Sequence, residues 1–468
     1  MFECDLLPNV ELEVAEFYAA LRKTRYMLDD GKGTGKCEAA VVVKLMSGLW
    51  QYGCLDPRDR IYGVLSLFPE KLAAEIKPSY AASVADVYMD FAMQVIHATM
   101  SLDIICRGGL NSTILDENTR DREGWPSWVP DWRGRQVVDE HLHLLEPGNY
   151  TASGEHKPHI SLSSPKILSC SGFAFDTISS TGYGGWDNST EDNSTKDNST
   201  KDNSLPSHPS SRPLIYGTKG SPEAMKALLL TLLGDLTGKR RGVSDAYLEN
   251  FGKCCQLIIP LKEEEQKFRN YAPSIMHTFA FLDSLERHRD AMIGEMELVS
   301  YFVSPAGLDQ KQLEVEGDDL INKIENIRIA EDENNKENGD ENRSEKSQDW
   351  EKIIEDEDED DEEEGESDEE QDYDGTLAEE ACQGAFTLSS GRRLLVTAKG
   401  YLAWATEGIK QGDQICILYG CSVPVVLRPE GGGRWKLVGE CYVQGVMDGE
   451  ALDWVERGKV EVVGFEIY

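Results

Sequence analysis

The strongest constraint on how this chain folds is a polar stretch that interrupts it. Residues 331–374 contain 25 acidic and 4 basic residues, so they carry −21 of the formal net charge of −38. A segment of this composition buries too little apolar area to offset its chain entropy, and we predict a disordered acidic tract over residues 309–376. A repeat of DNST followed by one charged residue predicts a disordered linker over residues 187–213. The remaining sequence must fold around these two interruptions.

The first foldable part, residues 1–150, is predicted to be helical. Within it, the stretch CLDPRDRIYGVLSLF predicts one helix with Asp56 as its N-cap and Pro57 in its first turn. Asp59 lies near the positive end of this helix, and apolar residues at spacings of three and four give it a buried face. The charged neighbours are expected to cap the helix and to pair with adjacent elements rather than to form a catalytic site: Asp56, Arg58, Asp59 and Arg60.

Longer amphipathic helices are predicted on both sides of the DNST repeat. Ser83 and Asp86 form a capping-box pattern in front of a broad apolar stripe. Beyond the repeat, residues 220–305 are predicted to be a helical insert, which includes helices over Tyr247–Ile259 and Ser274–Leu285.

The string WPSWVPDWR, at residues 125–133, combines two prolines with three tryptophans. Proline excludes a regular helix here and favours an extended segment, and indole rings bury large areas. We therefore predict a tryptophan clamp that pins this segment onto the helices. An aromatic cage for a cation and a peptide groove are the alternatives. The residues concerned are Trp125, Trp128, Pro130, Asp131 and Trp132.

The end of the chain changes to short β-rich runs separated by glycine turns, and this pattern predicts a β-rich module over residues 385–468. Alternating residues at 158–180 predict strands that join the same module. We therefore predict an α+β fold, in which residues 160–180 and 386–446 build a small curved sheet or barrel. The predicted C-terminal strands are Leu394–Thr397, Tyr401–Trp404, Gln414–Tyr419, Pro424–Pro429 and Trp435–Val443.

Several of these strings resemble one known family. DPRDRIYGVLSL, the pattern PSY-x₂-SV-x-DVY-x-DFA and PSWVPDW occur in that order, and GYLAWAT, GDQICILYG, PVVLRP and LVGECYVQGVMDGE follow near the end. Together they resemble the fungal heterokaryon incompatibility (HET-domain) protein family. The C-terminal motif positions carried by the resemblance are Gly400, Tyr401, Gly412, Asp413, Arg428, Gly439, Tyr442 and Gly445.

The resemblance implies a non-enzymatic regulatory or interaction protein of fungal nonself recognition, in the pathway to programmed cell death. Family members carry YxxLSYxWG-like and WIDxxCINQ-like strings in the effector portion that precedes the DPRDR segment. Neither string occurs in these 468 residues. We therefore expect this chain to correspond to the C-terminal accessory region, without the killing domain.

No enzyme signature is present, and we predict no catalytic residues, no cofactor and no metal site; an unrecognised hydrolase is the remaining enzymatic alternative. DDGKGTGK resembles a phosphate-binding loop, but Asp30 and Cys37 stand where that motif needs glycine and a hydroxyl. The pairs His141 and His143, and His156 and His159, lack the further ligands of a closed zinc site. The thiols of the β-rich runs are expected to be buried and structural: Cys416, Cys421 and Cys441.

Composition sets the expected environment and partners. We find no signal peptide and no apolar run near 20 residues, and eleven scattered cysteines fit reduced thiols, so we expect a cytoplasmic protein with a nuclear location as the alternative. The charge excludes direct tracking of a nucleic-acid backbone, which leaves protein partners. The second candidate function is an intracellular acidic scaffold or histone-binding protein that acts through residues 331–374.

Overall fold

The computed structural model describes residues 54–108, 124–133, 149–164, 166–179, 214–218, 221–237, 240–261 and 373–468, together with single positions within 42–46, at 144 and within 281–302. These residues combine helices with one large, mainly antiparallel sheet, so the fold is α+β, as predicted. In the part of the chain that the structure describes, no helix is long and apolar enough to span a membrane.

The helices are α1 (Asp59–Tyr62), α2 (Glu70–Glu75), α3 (Val84–Thr99), α4 (Pro222–Leu233), α5 (Asp245–Leu261), α6 (Tyr373–Ser389) and α7 (Leu452–Glu456), with 3₁₀ helices at Leu65–Leu67, Asp103–Arg107 and Leu298–Tyr301. The strands are β1 (Ile160–Ser164), β2 (Ile167–Thr177), β3 (Leu236–Thr237), β4 (Arg240–Arg241), β5 (Met292–Ile293), β6 (Met296–Glu297), β7 (Arg392–Val396), β8 (Leu402–Thr406), β9 (Gln414–Leu418), β10 (Val425–Gly431), β11 (Arg434–Val443) and β12 (Val463–Ile467).

Eight strands form the main sheet, in the order β1-β2-β9-β10-β11-β8-β7, while β12 pairs with both β11 and β2. β2 runs antiparallel to β9, with Phe173 opposite Ile417, and antiparallel to β12, with Cys170 opposite Phe465. The pairings therefore close a circuit of five strands: β2, β9, β10, β11 and β12. Strands from residues 160–177 and 392–467 thus lie in one sheet.

Both faces of this sheet are buried at strand β9, and alternate residues of this strand enter different cores. In β9, Ile415 and Ile417 lie in one apolar cluster with Phe173, whereas Cys416 and Leu418 lie in a larger cluster shared with the helices. A strand that is covered on both faces has no polar face, and this explains why β9 is continuously apolar after Gln414.

Helices α4, α5 and α6 pack on one another and against β7 and β8. Helix α4 begins at the N-cap Ser221, whose hydroxyl accepts a hydrogen bond from the Ala224 N–H at 3.2 Å. It ends at Gly234, which has a left-handed φ of 64°. The Trp404 indole N–H of β8 donates to the Thr231 carbonyl of α4 at 2.8 Å, so this helix is fixed to the sheet by a buried polar contact as well as by packing.

Helix α3 is the element against which the tryptophan segment packs. The Ser83 hydroxyl accepts from the Asp86 N–H at 3.1 Å, as the capping pattern predicted. The tryptophan clamp lies on this helix: Tyr88 makes edge contacts with Trp125 and Trp132, and Phe91 makes another with Trp132. All three tryptophans are at most 7% exposed, so the clamp is part of the apolar core.

The single capped helix predicted from Asp56 is wrong. The structure has a short α1 and a separate 3₁₀ turn, because Val64, with φ −118° and ψ 12°, leaves the helical conformation after Gly63. The Asp56 carboxylate accepts the Arg58 N–H at 3.0 Å and its guanidinium at 2.7–2.9 Å, and the residue in the N-cap position is Arg58. Asp56 therefore closes a tight turn with Arg58 instead of capping a long helix.

The predicted boundary between the acidic tract and the β-rich module is also corrected. Helix α6 spans Tyr373–Ser389, across positions 376 and 385. Its buried residues Ala381, Cys382, Ala385 and Leu388 follow helical spacing and pack on α4 and α5. The five predicted C-terminal strands each match an observed strand within three residues, whereas β12 and α7 were not predicted.

Some predictions fall on residues outside the described ranges. These are the DNST linker, the acidic tract up to residue 372, the DDGKGTGK loop, and His141 with His143. Of the predicted helix Ser274–Leu285, the structure describes Phe281 and Leu285, both of them buried.

We predict that Trp128→Ala lowers the free energy of unfolding by about 3–5 kcal/mol, because Trp128 is fully buried and its indole N–H donates to the Lys166 carbonyl. Chemical denaturation followed by circular dichroism measures this. Leu55→Ala is the control, since the Leu55 side chain is exposed, and we expect a change within about 0.5 kcal/mol. Equal stability of the two variants would contradict the role of the clamp.

Candidate functional site

The segment that follows α3 meets the sheet at the turn between β9 and β10. The Leu102 N–H donates to the Gly420 carbonyl at 2.9 Å, and the Ser101 hydroxyl donates to the same oxygen at 3.1 Å. Gly420 has a φ of +94°, and an added Cβ there would lie 2.7 Å from Pro158, so this turn requires glycine. We call the contact formed by residues 101–107 and 420–422 the junction.

Asp103 is the carboxylate at the centre of the junction and is 1% exposed. Its Oδ1 accepts the Ser422 N–H at 2.6 Å, and its Oδ2 accepts the Ser422 hydroxyl at 2.7 Å. The Asp103 N–H donates to the Ser101 hydroxyl oxygen at 3.1 Å. Asp103 therefore connects the 3₁₀ helix Asp103–Arg107 to the turn through two hydrogen bonds with Ser422.

Two thiols lie beside this carboxylate. A hydrogen bond with Cys421, together with burial, raises the pKa of the Cys106 thiol well above its ordinary value. A thiol in such surroundings stays protonated at neutral pH, so it is a poor nucleophile. Cys416, Cys421 and Cys441, the three thiols predicted to be buried, are each 0% exposed.

The tryptophan clamp makes a second contact with the sheet. The Ser127 N–H donates to the Tyr468 carbonyl at 2.9 Å, and its hydroxyl donates to the same oxygen. The Leu437 N–H of β11 donates to the Ser127 hydroxyl oxygen at 2.9 Å. The clamp therefore joins α3 to the strands of the circuit.

The clamp also contains its own cation. The Arg133 guanidinium lies 4.3 Å from the centroid of the Trp125 ring and pairs with the Asp131 carboxylate at 2.8–2.9 Å. Trp125 thus makes a cation–π contact within the protein. Pro130 is buried in the same segment, in agreement with a structural role.

The DPRDR residues hold the chain around α1. The Arg58 guanidinium donates to the Tyr80 and Ala82 carbonyls at 2.6 and 2.8 Å. Asp59 accepts the Tyr80 hydroxyl at 2.5 Å, and the Pro57 carbonyl accepts the Tyr88 hydroxyl at 2.6 Å. Since Tyr88 also contacts Trp125 and Trp132, the DPRDR segment and the clamp meet on α3, with Arg60 half-buried in α1.

The C-terminal motif residues stabilise turns and strand pairs. Asp413 and Arg428 form a two-point ion pair at 2.9 Å, which links the β8–β9 loop to β10. A Cβ at Gly439 would lie 2.6 Å from Thr406, so glycine permits the close approach of β11 to that residue. The Tyr442 hydroxyl donates to the Gln444 side chain at 2.6 Å. Gly400 and Gly412 lie in turns between strands, and Gly445 lies just after β11.

Tyr401 belongs to an aromatic group that surrounds a lysine. Its ring lies 4.9 Å from that of Phe175 and 6.3 Å from that of Trp454, and the Lys399 Nζ lies 4.5 Å from the Trp454 centroid. Burial lowers the pKa of Lys399, although the Asp176 carboxylate acts in the opposite direction. This group fixes α7 against β2.

Comparison with known proteins shows what the chain is similar to. The sequence profile of the Het-6 beta-barrel domain matches residues 309–463. Heterokaryon incompatibility protein 6, OR allele, of Neurospora crassa is 21% identical over an alignment that covers 89% of this chain and 52% of that protein. Both similarities support a protein of the fungal heterokaryon incompatibility (HET) family, and the profile match lies in its C-terminal region. It spans about half the length of this curated relative.

The HET assignment covers the C-terminal motif residues directly, because Gly400 to Gly445 fall within the matched span. Strand β2 lies outside that span, yet it pairs with β9 inside it, so the sheet extends beyond the matched residues. No solved structure matches the chain significantly.

Sequence analysis missed the junction and one buried ion pair. Asp103 and Ser422 are 319 positions apart, and neither stands in a motif, so no sequence signal joins them. Arg392 and Glu440 form an ion pair with side chains 1% and 2% exposed. The arrangement of β7 and β11 in the sheet brings Arg392 and Glu440 together.

His156, one of the histidines considered as a metal ligand, stacks on Tyr419 at 4.4 Å between ring centroids and forms a hydrogen bond with the Ser153 carbonyl.

We predict that Asp103→Ala lowers the free energy of unfolding by about 2–4 kcal/mol, because the buried Ser422 N–H and hydroxyl would lose their acceptor. Asp103→Asn keeps one acceptor oxygen, and we expect roughly half of that loss. Asp86→Ala is the matched control, since this exposed aspartate belongs to a helix cap. Urea unfolding measures the free energy of unfolding of all three variants. If Asp103→Ala loses no more stability than the control, the account of the junction is contradicted.

Proposed function

We propose that this HET-family chain is a non-enzymatic regulatory or interaction protein of fungal nonself recognition, and that it controls cell death without carrying the killing activity. The observation that carries the proposal is the alignment with a heterokaryon incompatibility protein along 89% of this chain. The relative's printed name concerns incompatibility, and we transfer that process to this chain as a hypothesis.

The contacts of the motif residues indicate that these residues stabilise the fold. The DPRDR segment, the clamp and the Asp413–Arg428 pair each bind neighbouring backbone or side chains and hold elements together. The described cysteines with raised pKa values lie in the interior rather than in a cleft. These roles are those of residues that maintain a recognition surface, and the surface itself supplies specificity.

We further propose that the five-strand circuit is the barrel of the Het-6 family. Closure of a sheet removes the free strand edges that would pair with other chains. The apolar cluster that contains Phe173, Ile415 and Val438 would then fill its interior. A rigid closed sheet of this kind suits the presentation of variable loops to a partner.

The test is a set of fungal strains that carry no copy, the full chain, or a variant of it. We expect expression of the full chain alone to leave cells viable. We also expect its deletion to change the frequency of cell death in at least one pairing of incompatible strains. Asp103→Ala should behave as the deletion, and Asp86→Ala as the full chain. Cell death caused by the full chain alone, or identical outcomes with and without it in every pairing, would refute the proposal.

One further strain, which carries a chain without residues 331–374, tests the alternative function as an acidic scaffold or histone-binding protein. Residues 331–374 lie within the span that matches the Het-6 domain, and we propose that they are a solvating insert there. A chain that lacks residues 331–374 is therefore expected to behave as the full chain. If it behaves as the deletion, the tract is the binding element, and the acidic scaffold or histone-binding function replaces our proposal.

A further inference from the structure

The junction brings three metal-ligating side chains into one buried place. One ligand atom from each of Asp103, Cys106 and Cys421 lies within 4.8 Å of the other two. Among the described residues, this is the one such group of three or more His, Cys, Asp or Glu side chains. All three residues are at most 5% exposed, and they come from two elements more than 300 positions apart.

The three groups can carry their negative charges together only if a cation lies between them. Each becomes negatively charged when it loses its proton, and each charge opposes the others in a buried place. A divalent cation favours the deprotonated groups, because its positive charge offsets most of the charge of two thiolates and a carboxylate that bind it.

The ligand types select the metal. Thiolate sulfur is the soft ligand that zinc accepts and that calcium and magnesium avoid. We propose that Asp103, Cys106 and Cys421 bind one zinc ion, which ties the 3₁₀ helix Asp103–Arg107 to the β9–β10 turn. A tetrahedral zinc ion with bonds of about 2.0–2.3 Å holds its ligand atoms somewhat less than 4 Å apart, so shifts of about 1 Å bring the three side chains to that geometry.

The surroundings of Asp103 match those of a metal-bound carboxylate. Both of its oxygens accept hydrogen bonds from Ser422, at 2.6 and 2.7 Å. Hydrogen-bonded neighbours of this kind orient ligands in metal sites. A disulfide between Cys106 and Cys421 would use the two sulfurs only and would give Asp103 no part.

The experiment uses the full chain purified in reducing buffer. We expect about one zinc per chain by elemental analysis after dialysis against metal-free buffer. With cobalt as the probe metal, we expect a thiolate-to-cobalt charge-transfer band that saturates at one equivalent. Zinc absorption-edge spectroscopy of the unmodified protein should show two sulfur ligands with oxygen completing the shell, and this measurement needs no variant to fold.

Variants locate the site. Cys106→Ser and Cys421→Ser should each lose the stoichiometric band, and Asp103→Asn should weaken metal affinity by tenfold or more. Cys441→Ser is the matched control, because Cys441 is an equally buried thiol in the other apolar cluster, and it should retain the band. Absence of both zinc and the band, a different sulfur count, or an unchanged band in Cys421→Ser would overturn the proposal.

Discussion

The structure depends on strand β2, which forms ladders with β9 and β12 although more than 200 residues separate it from them. Without β2 the circuit opens, and the apolar cluster around Ile415 and Ile417 loses Phe173. The cost of closing so long a loop grows only with the logarithm of its length, by about 0.6 kcal/mol for each doubling. This is why a polar repeat and an acidic tract can be tolerated between strands of one sheet.

The N-terminal helices are joined to that sheet at two places, and both contain buried polar bonds. At the junction, Asp103 accepts from Ser422, and in the clamp, Ser127 bonds Tyr468 and Leu437. Apolar packing supplies area at both contacts, but directional bonds fix their geometry. These two contacts therefore fix the position of the N-terminal helices on the sheet.

Sequence patterns predicted the helix caps and strands that depend only on neighbouring residues. Capping at Ser83, the helix after Ser221 and the apolar runs of β9 and β11 follow from neighbouring residues alone. The DPRDR helix was predicted too long, because Asp56 closes a turn with Arg58 at its start and Val64 leaves the helical conformation at its end. The pairs Asp103 with Ser422 and Arg392 with Glu440 depend on register between distant elements, so no local pattern contains them.

Hydrogen exchange of single amides tests the closed circuit most directly. Phe465 in β12 is 1% exposed, contacts the Trp435 ring, and lies opposite Cys170 of β2. If β12 closes the circuit, Phe465→Ala accelerates exchange in β2 and in the paired end of β11 by tenfold or more, since a loss of about 1.4 kcal/mol changes an opening equilibrium tenfold. Faster exchange confined to β12, with β2 unchanged, would contradict the account.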